Sequence, residues 1–539
     1  MSVRTSPEVP ALGLALLAGL LQAWSVAWPW AWPWLPWLHR GQPAGWLQVV
    51  SMAVAVALLA ASPSGRALVM RALAFAVAWL AGVFWWLFIS MHVYGGLAAP
   101  LAVLAVGLLA LFLALDYVAL AWVWWRWRPA AAWAAALAWA AAWTLAELAR
   151  GVLWSGFPWG ATGYAHIEGL GALAPWLGVY GVGGLAAWLA AWLALARRAA
   201  RVTALLLALL LCGWPGGGAW LQQRLPDATQ PAGELPVRLL QGAIAQDDKF
   251  DPERGIAQAL RWYGQALLEA LQEPRLAGGL VVAPETAIPL LPQDVDPAYW
   301  RALAQAVAQG RTAVLMGLPL GSFSAGYTNS VVGWRPGVDP AGADPALALA
   351  SYRYDKHHLV PFGEFVPPGF RWFVDLMVMP MGDFTRGALP QAPLGWAGQR
   401  IAPHVCYEDL FGEELAAAFA DADRAPTVLV NVSNIAWFGD GVAIDQHRGI
   451  ARMRALELGR PMLRATNTGA TAAIDHRGRV LAELPRGQRG VLDATVSARQ
   501  GLTPYARWAA RWGLWPVALA ALLAGVGAGL LGGRRQAGP

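Results

Sequence analysis

Three ionisable side chains stand at or just after the ends of short apolar runs. Glu285 lies in Ala-Pro-Glu-Thr-Ala-Ile-Pro (283–289), Lys356 in Tyr-Asp-Lys-His-His-Leu-Val-Pro-Phe-Gly-Glu-Phe (354–365) and Cys406 in Pro-His-Val-Cys-Tyr-Glu-Asp (403–409). Loops that follow strands concentrate catalytic groups, because the scaffold holds them in place while leaving them accessible. A thiol attacks as its thiolate, from an ordinary pKa of about 8.5. A carboxylate serves as its base, and an ammonium holds the thiolate and later an oxyanion. Cys, Glu and Lys therefore form a complete set for acyl transfer through a thioester. The three lie 71 and 50 positions apart, so only a fold can join them. The chain has two lysines, Lys249 and Lys356, and uses Arg for every other fixed positive charge. A retained Lys is informative, since Arg cannot supply a compact, titratable amine. The second cysteine, Cys212, sits far away in an apolar run, so no disulfide framework is expected.

The surrounding chain reads as a layered domain. Val237–Ile244, Leu280–Ala283, Ala313–Leu318, Asn329–Trp334, Arg400–Cys406, Thr427–Val432, Met462–Asn467 and Thr471–Asp475 are short, β-branched or apolar runs that read as strands. Glu253–Leu271, Pro297–Gln309 and Asp445–Leu458 read as helices. An α/β or α+β domain of about 265 residues is large enough for its own core. Pro340–Pro345 reads as a loop tip and Gly213–Gly218 as a hinge or linker.

The rest of the chain belongs to a bilayer. Of 539 residues, 57% are hydrophobic and 13% charged, and Trp occurs 33 times. This excludes a disordered chain and argues against a plain soluble enzyme. The net charge of +6 lies entirely in Met1–Trp220, which has ten Arg, no Lys and four acids; the remainder has 29 of each sign. No basic patch interleaved with aromatics is present, so nucleic acid is not an expected partner. Apolar runs near 10–28, 46–63, 72–92, 97–121, 130–149, 171–195, 202–221 and 513–533 match a hydrocarbon core of about 30 Å. Arg4, Arg66 with Arg71, Arg126 with Arg128, Arg197 with Arg198 and Arg201, and Arg534 with Arg535 fall between these runs on one side, with Arg40 and Arg150 as exceptions. The positive-inside rule makes that side cytoplasmic. Eight spans follow, with both termini inside and the polar insert outside. Trp24–Trp37, rich in Trp and Pro, is expected as an interfacial hairpin.

Further segments carry a resemblance. They are Val-Pro-Phe-Gly-Glu-Phe-Val-Pro (360–367), Asn-Val-Ser-Asn-Ile-Ala-Trp-Phe-Gly (431–439), Gln-His-Arg-Gly-Ile-Ala-Arg-Met-Arg-Ala-Leu-Glu-Leu-Gly-Arg-Pro (446–461) and Arg-Ala-Thr-Asn-Thr-Gly (464–469). With the three motifs around Glu285, Lys356 and Cys406, in order, the chain resembles the apolipoprotein N-acyltransferases, membrane members of the nitrilase superfamily, over essentially its whole length. The resemblance implies a multi-pass helical domain (1–221, about seven spans), a periplasmic αββα-sandwich nitrilase-like domain (222–505) and a final span with a cytoplasmic tail (506–539), in a bacterial inner membrane. It implies Glu285 as base, Lys356 as charge-stabilising lysine and Cys406 as nucleophile. Glu364, Tyr407 and Glu408 fall on further functional positions of the family. Phe250, Asn434 and Trp437 are candidate supporting or substrate-binding residues, although Trp437 and Phe438 also read as core aromatics. The implied reaction takes an acyl chain from a phospholipid, typically phosphatidylethanolamine, to the α-amine of an S-diacylglyceryl cysteine that begins an exported lipoprotein. No cofactor or metal is implied, and a monomer is expected. The chain departs from the pattern at Phe250, where the family usually has Trp, and at Ile435, where an acid is usual.

Other readings compete. His357, His358 and His404 invite a Cys–His dyad; scattered His and one nearby Cys lack metal-ligand spacing. A membrane-anchored amidase or nitrilase would use the same triad with water as acceptor. A transporter or sensor with a dead nitrilase-like domain would need charged residues inside its spans, and only Asp116, Glu147 and a few Arg qualify. Phe370, Trp372, Phe373 and the Met-rich run 377–381 are apolar residues in a loop, expected as a mobile lid.

Overall fold

The computed structural model describes residues 8–32, 38–213, 216–337, 351–376 and 383–533. Arg4, Arg534 and Arg535, residues 33–37 of the Trp-rich segment, the loop tip 340–345 and the run 377–381 lie outside the described residues. The chain divides into two units. One comprises the described parts of Met1–Phe88, Ala99–Pro226 and Trp512–Pro539; the other comprises Ile89–Ala98 and Asp227–Arg511.

In the first unit the apolar runs become helices. Five are long and apolar enough to cross a membrane: Glu8–Val26, Gly65–Phe84, Ala99–Trp127, Ala132–Ser155 and Leu170–Leu195. The run expected at 72–92 starts earlier, because the Ser64 side chain caps the helix by accepting from the Ala67 N–H at 3.2 Å. The run at 46–63 is a shorter helix, Gly45–Ala60. The run at 202–221 breaks into Arg198–Ala208 and Gly217–Arg224, and the last run is the helix Trp515–Leu531, which follows a break after Pro504–Trp512. Among the described residues, five helices therefore qualify as single spans, or up to seven if each bent pair is one span. Small residues let these helices touch: a Cβ on Gly19 would collide with the Phe75 carbonyl oxygen. The described part of the Trp-rich segment turns back on itself, with Trp28 N–H donating to Gln42 O and Gly41 N–H to Trp28 O, and its indoles pack edge-on or stacked. Glu147 and Arg150 are buried, but both are bound to local structure. Glu147 accepts from the Thr162 N–H at 2.6 Å and its hydroxyl at 2.7 Å; Arg150 donates to Tyr117 and to the Phe157 and Trp159 carbonyls. They brace a non-helical turn, which is a structural use of buried charge rather than an ion pathway.

The second unit is two six-stranded sheets between helices. The first sheet has the order β12-β1-β2-β3-β4-β5 and the second β11-β10-β9-β8-β7-β6. The strands are β1 (Gln230–Gln241), β2 (Leu280–Ala283), β3 (Ala313–Ser322), β4 (Gly326–Trp334), β5 (Tyr352–Asp355), β6 (Leu394–Trp396), β7 (Gln399–Val405), β8 (Val428–Ser433), β9 (Met462–Thr466), β10 (Ala472–Ile474), β11 (Val480–Glu483) and β12 (Gly490–Gln500). β1-β2-β3 and β7-β8-β9 run parallel, which buries both faces and explains their near-continuous apolar sequence. Alternate residues build separate layers. Val237, Leu280, Val282 and Leu315 meet Ile401, Val405, Val430 and Leu463 between the sheets. Val281, Val314 and Met316 pack outward with Tyr263, Leu267, Trp300 and Leu303 of the helices Ala257–Gln272 and Pro297–Gln309. Leu429, Met462 and Ile474 pack outward with Ala451 and Ala455 of helix Val442–Leu458. The result is the expected αββα order.

Gly317 of β3 sets how closely the Glu285 loop can approach the first sheet. A Cβ there would lie 2.6 Å from the Glu285 Cα and 2.6 Å from the Pro284 carbonyl oxygen. The Gly317 carbonyl accepts from the Ala287 N–H at 2.9 Å, so β3 holds the Glu285 loop by direct backbone contact. Gly317→Ala is expected to destabilise the protein by about 1–3 kcal/mol through overpacking. Denaturant unfolding followed by tryptophan fluorescence would measure this.

Candidate active site

Glu285 follows β2, Lys356 follows β5, Cys406 follows β7 and Asn434 follows β8. Each leaves the carboxyl end of its strand, so the side chains gather at one end of the sandwich. Lys356 is fixed through its backbone: its N–H donates to Asn329 O at 2.8 Å and its carbonyl accepts from Gly387 N–H at 2.9 Å. Its ammonium, 1% exposed, lies 2.9 Å from Glu364 Oε2 and 3.7 Å from Glu285 Oε1. Asn329 Nδ2 donates to both Glu285 Oε1 and Glu364 Oε1 at 2.7 Å, tying the two carboxylates together. The Asn434 backbone N–H donates to Glu285 Oε2 at 2.7 Å, which joins the second sheet to the first. Ser433, its neighbour, donates from Oγ to Cys406 Sγ at 3.4 Å. Burial pushes the Lys356 amine down, but Glu364, Glu285 and Cys406 outweigh it and leave it above the ordinary lysine range.

Cys406 has φ +50° and Thr286, beside Glu285, φ +48°. Left-handed backbone at non-glycine residues costs on the order of 1–3 kcal/mol and persists only where the surroundings enforce it. Burial pushes the Cys406 thiol up to about 12; the Glu285 charge adds to this and Lys356 opposes it. Burial and the Glu285 charge therefore favour the thiol form of Cys406. Alkylation of Cys406 by iodoacetamide, followed by peptide mass spectrometry, should keep rising past pH 9 as the thiolate forms. A thiolate–ammonium pair would instead give a rate that levels off well below pH 7.

The other residues expected at the site divide by role. Glu364 is bound to Lys356 and also accepts from the Val360 N–H at 2.8 Å, so it anchors the lysine and closes its loop. Glu408 accepts from the N–H groups of Val405 (2.6 Å) and His357 (2.7 Å) and from the Tyr354 hydroxyl (2.9 Å). It clamps β7 to β5 and the segment that follows it. The Tyr407 ring packs on Phe411 and His358. Asn434 Nδ2 donates to Gln246 and its Oδ1 accepts from Asn467. Trp437 is half-buried, edge-on to Tyr94 with ring centroids 5.7 Å apart. Phe250, Phe370 and Trp372 are exposed. Ile435, at the position where an acid is usual, is buried. His357 bonds Gly387 O, His358 bonds Glu414 and His404 bonds Asp409, so these rings are engaged elsewhere and the sulfur's hydrogen bond comes from Ser433. Among the described residues no group of three or more His, Cys, Asp or Glu is placed to hold a metal ion.

Several participants carry no chemical signal of their own in the sequence. Asn329, Gln246, Asn467 and Ser433 build the cradle of Glu285, Asn434 and Cys406. Lys249 is 2% exposed, with Nζ 3.5 Å from the Glu285 carbonyl oxygen. Burial brings its amine down to about 8, against the pull of Glu285 and Cys406. For this residue the signal was the lysine count: both lysines of the chain are buried beside Glu285.

The carbon-nitrogen hydrolase family matches residues 236–505, and the apolipoprotein N-acyltransferase N-terminal domain matches residues 40–192. An apolipoprotein N-acyltransferase of Verminephrobacter eiseniae is 53% identical over 93% of this chain and 92% of its own length. One from Ralstonia nicotianae is 46% identical over 86% of this chain and 85% of its own length. Among solved structures, a carbon-nitrogen hydrolase of Helicobacter pylori G27 aligns at 17% identity over 52% of this chain and 93% of its own, with a TM-score of 0.34. On the extent of these sequence matches, the chain belongs to the apolipoprotein N-acyltransferase family.

Proposed function

We propose that this protein moves an acyl chain from a phospholipid, phosphatidylethanolamine in the first instance, to the amino terminus of S-diacylglyceryl-cysteine lipoproteins. Glu285 takes the thiol proton as Cys406 attacks the ester carbonyl. Lys356 and the Tyr407 backbone N–H hold the oxyanion. The tetrahedral adduct collapses, the C–O bond breaks, and the lysophospholipid alkoxide leaves with the proton from Glu285. The acyl-Cys406 thioester remains. The acceptor amine attacks it, gives a proton to Glu285, and the C–S bond breaks to return the thiol. An amide is more stable than a thioester, so the second step runs forward without a nucleotide.

The observation that carries this reading is the gathering of Glu285 with Lys356 and Glu364 into one buried, hydrogen-bonded cluster, with the partly exposed Cys406 close enough to feel the charges of all three. The names of the similar proteins favour an amine over water as acceptor. For topology we propose eight spans, with 1–221 and 506–539 in the inner membrane, 222–505 on the periplasmic side, both termini cytoplasmic, and a monomer. The long apolar helices and the arginine pattern support this topology. The purified protein in detergent, given phosphatidylethanolamine and a synthetic diacylglyceryl lipopeptide, should yield the N-acyl lipopeptide and one equivalent of lysophospholipid. Release of free fatty acid with an unchanged lipopeptide would make it a hydrolase instead.

A further inference from the structure

Beneath the nucleophile lies a row of buried polar side chains that the proposed acyl transfer does not use. The parallel register of the second sheet pairs His404 of β7 with Asn431 of β8, and Asn431 with Arg464 of β9. Asn431 and Arg464 alternate with Val430, Val432, Leu463 and Ala465 of the inter-sheet core, so both point to the side of helix Val442–Leu458. That helix contributes His447. Asp409, Arg464, His447, His404 and Asn431 are all essentially fully buried. Burying such groups is costly unless each is bonded, and here they form a chain. His404 bonds one Asp409 oxygen. Arg464 donates to the other at 2.8 Å, and through its second nitrogen to His447 Nδ1 at 3.1 Å. Since Nδ1 accepts, the proton of the neutral ring is on Nε2. That Nε2–H donates to the Cys406 carbonyl oxygen at 3.2 Å, and Asn431 Nδ2 donates to the same oxygen at 3.2 Å.

We infer that His447 and Asn431, held by Arg464 and Asp409, are positioning residues that aim the Cys406–Tyr407 peptide, so that its N–H meets the oxyanion. This rests on the proposed thioester route. In a trans peptide the C=O and N–H point to opposite sides of one plane, so fixing the carbonyl fixes the direction of the N–H. Two donors on one carbonyl oxygen also polarise the peptide and strengthen the N–H as a donor. The need for such a brace is visible in the φ of +50° at Cys406, a conformation the residue would leave if unsupported. Burial and the Arg464 charge hold His447 far below the ordinary histidine range, which keeps it neutral and its tautomer fixed.

The test separates oxyanion support from nucleophile reactivity, because alkylation of a thiol by iodoacetamide develops no oxyanion. In the full-length protein, His447→Leu should slow acylation of Cys406 by phosphatidylethanolamine by roughly 10–100-fold, part of the effect of losing one oxyanion donor. The KM should stay within about threefold, and alkylation of Cys406 by iodoacetamide within about threefold. His447→Gln, whose amide can accept from Arg464 and donate to the Cys406 carbonyl, should recover most of the acylation rate. Asn431→Ala leaves the ion network intact and should show the same split if His447→Leu does not fold. The inference is overturned if acylation is unchanged in the folded variants, if alkylation falls in step with acylation, or if Gln is no better than Leu. A wild-type protein that forms no acyl-Cys406 would instead overturn the thioester route itself.

Discussion

Cys406→Ala protein should retain its fold and lose acyl transfer by on the order of 10⁴-fold or more, the scale seen when a nucleophile that works with its partners is removed. The fold should survive because the Cys406 side chain bonds only weakly through sulfur, accepting from Ser433, whereas its backbone carbonyl carries the stronger contacts. Removing the thiol also removes a group whose ionisation is opposed by burial and by Glu285, so no buried charge is left unpaired. Cys406→Ser should be nearly as inactive. A hydroxyl in the same place is far harder to ionise than the thiol. N-acylation of a diacylglyceryl lipopeptide, read by mass spectrometry beside a thermal melt, would check both; retained transfer in either variant would remove Cys406 from the mechanism.

Glu285→Gln should cost roughly 10²–10⁴-fold in the acylation step, the range for loss of a positioned general base. The geometry makes the amide a poor substitute for a second reason. Both Glu285 oxygens accept, Oε1 from Asn329 Nδ2 and Oε2 from the Asn434 N–H, with the Lys356 ammonium close to Oε1. An amide has one acceptor and one donor, so its NH₂ must face another donor whichever way it turns. A buried donor left without an acceptor costs about 1–3 kcal/mol. Near pH 7, where the thiolate is scarce and the carboxylate must take the proton as sulfur reacts, alkylation of Cys406 should slow in Glu285→Gln, whereas it should hold in His447→Leu. Pre-steady-state acylation and iodoacetamide labelling at one pH distinguish the two. Equal labelling rates in Glu285→Gln and wild type would show that the carboxylate does not take the thiol proton.

The fold was legible where burial was symmetrical and obscure where it was not. The eight strands readable in the sequence, β1 to β4 and β7 to β10, are the central strands of the two sheets. The four without a legible signal, β5, β6, β11 and β12, are the four edge strands. A central parallel strand is covered on both faces and reads as an apolar run; an edge strand such as Tyr352–Asp355 carries Arg353 and Asp355 and does not. Span boundaries failed for a related reason. Composition locates an apolar run but not the cap or bend that ends it, as at Ser64 and between Trp512 and Trp515. Within the site, residues with rare chemistry announced themselves, whereas Asn329, Asn431 and Ser433 are ordinary polar residues inside strands. Their roles depend on which face of which neighbour they meet, and that is set by register across distant segments.

The most direct test of the thioester uses the wild-type protein alone with phosphatidylethanolamine and no acceptor. Peptide mass spectrometry should find one long-chain acyl group on the peptide containing Cys406, removed by neutral hydroxylamine and transferred to a lipopeptide added later. Lysophospholipid formed while the Cys406 peptide stays unmodified, or an acyl group found on any other residue, would contradict the account.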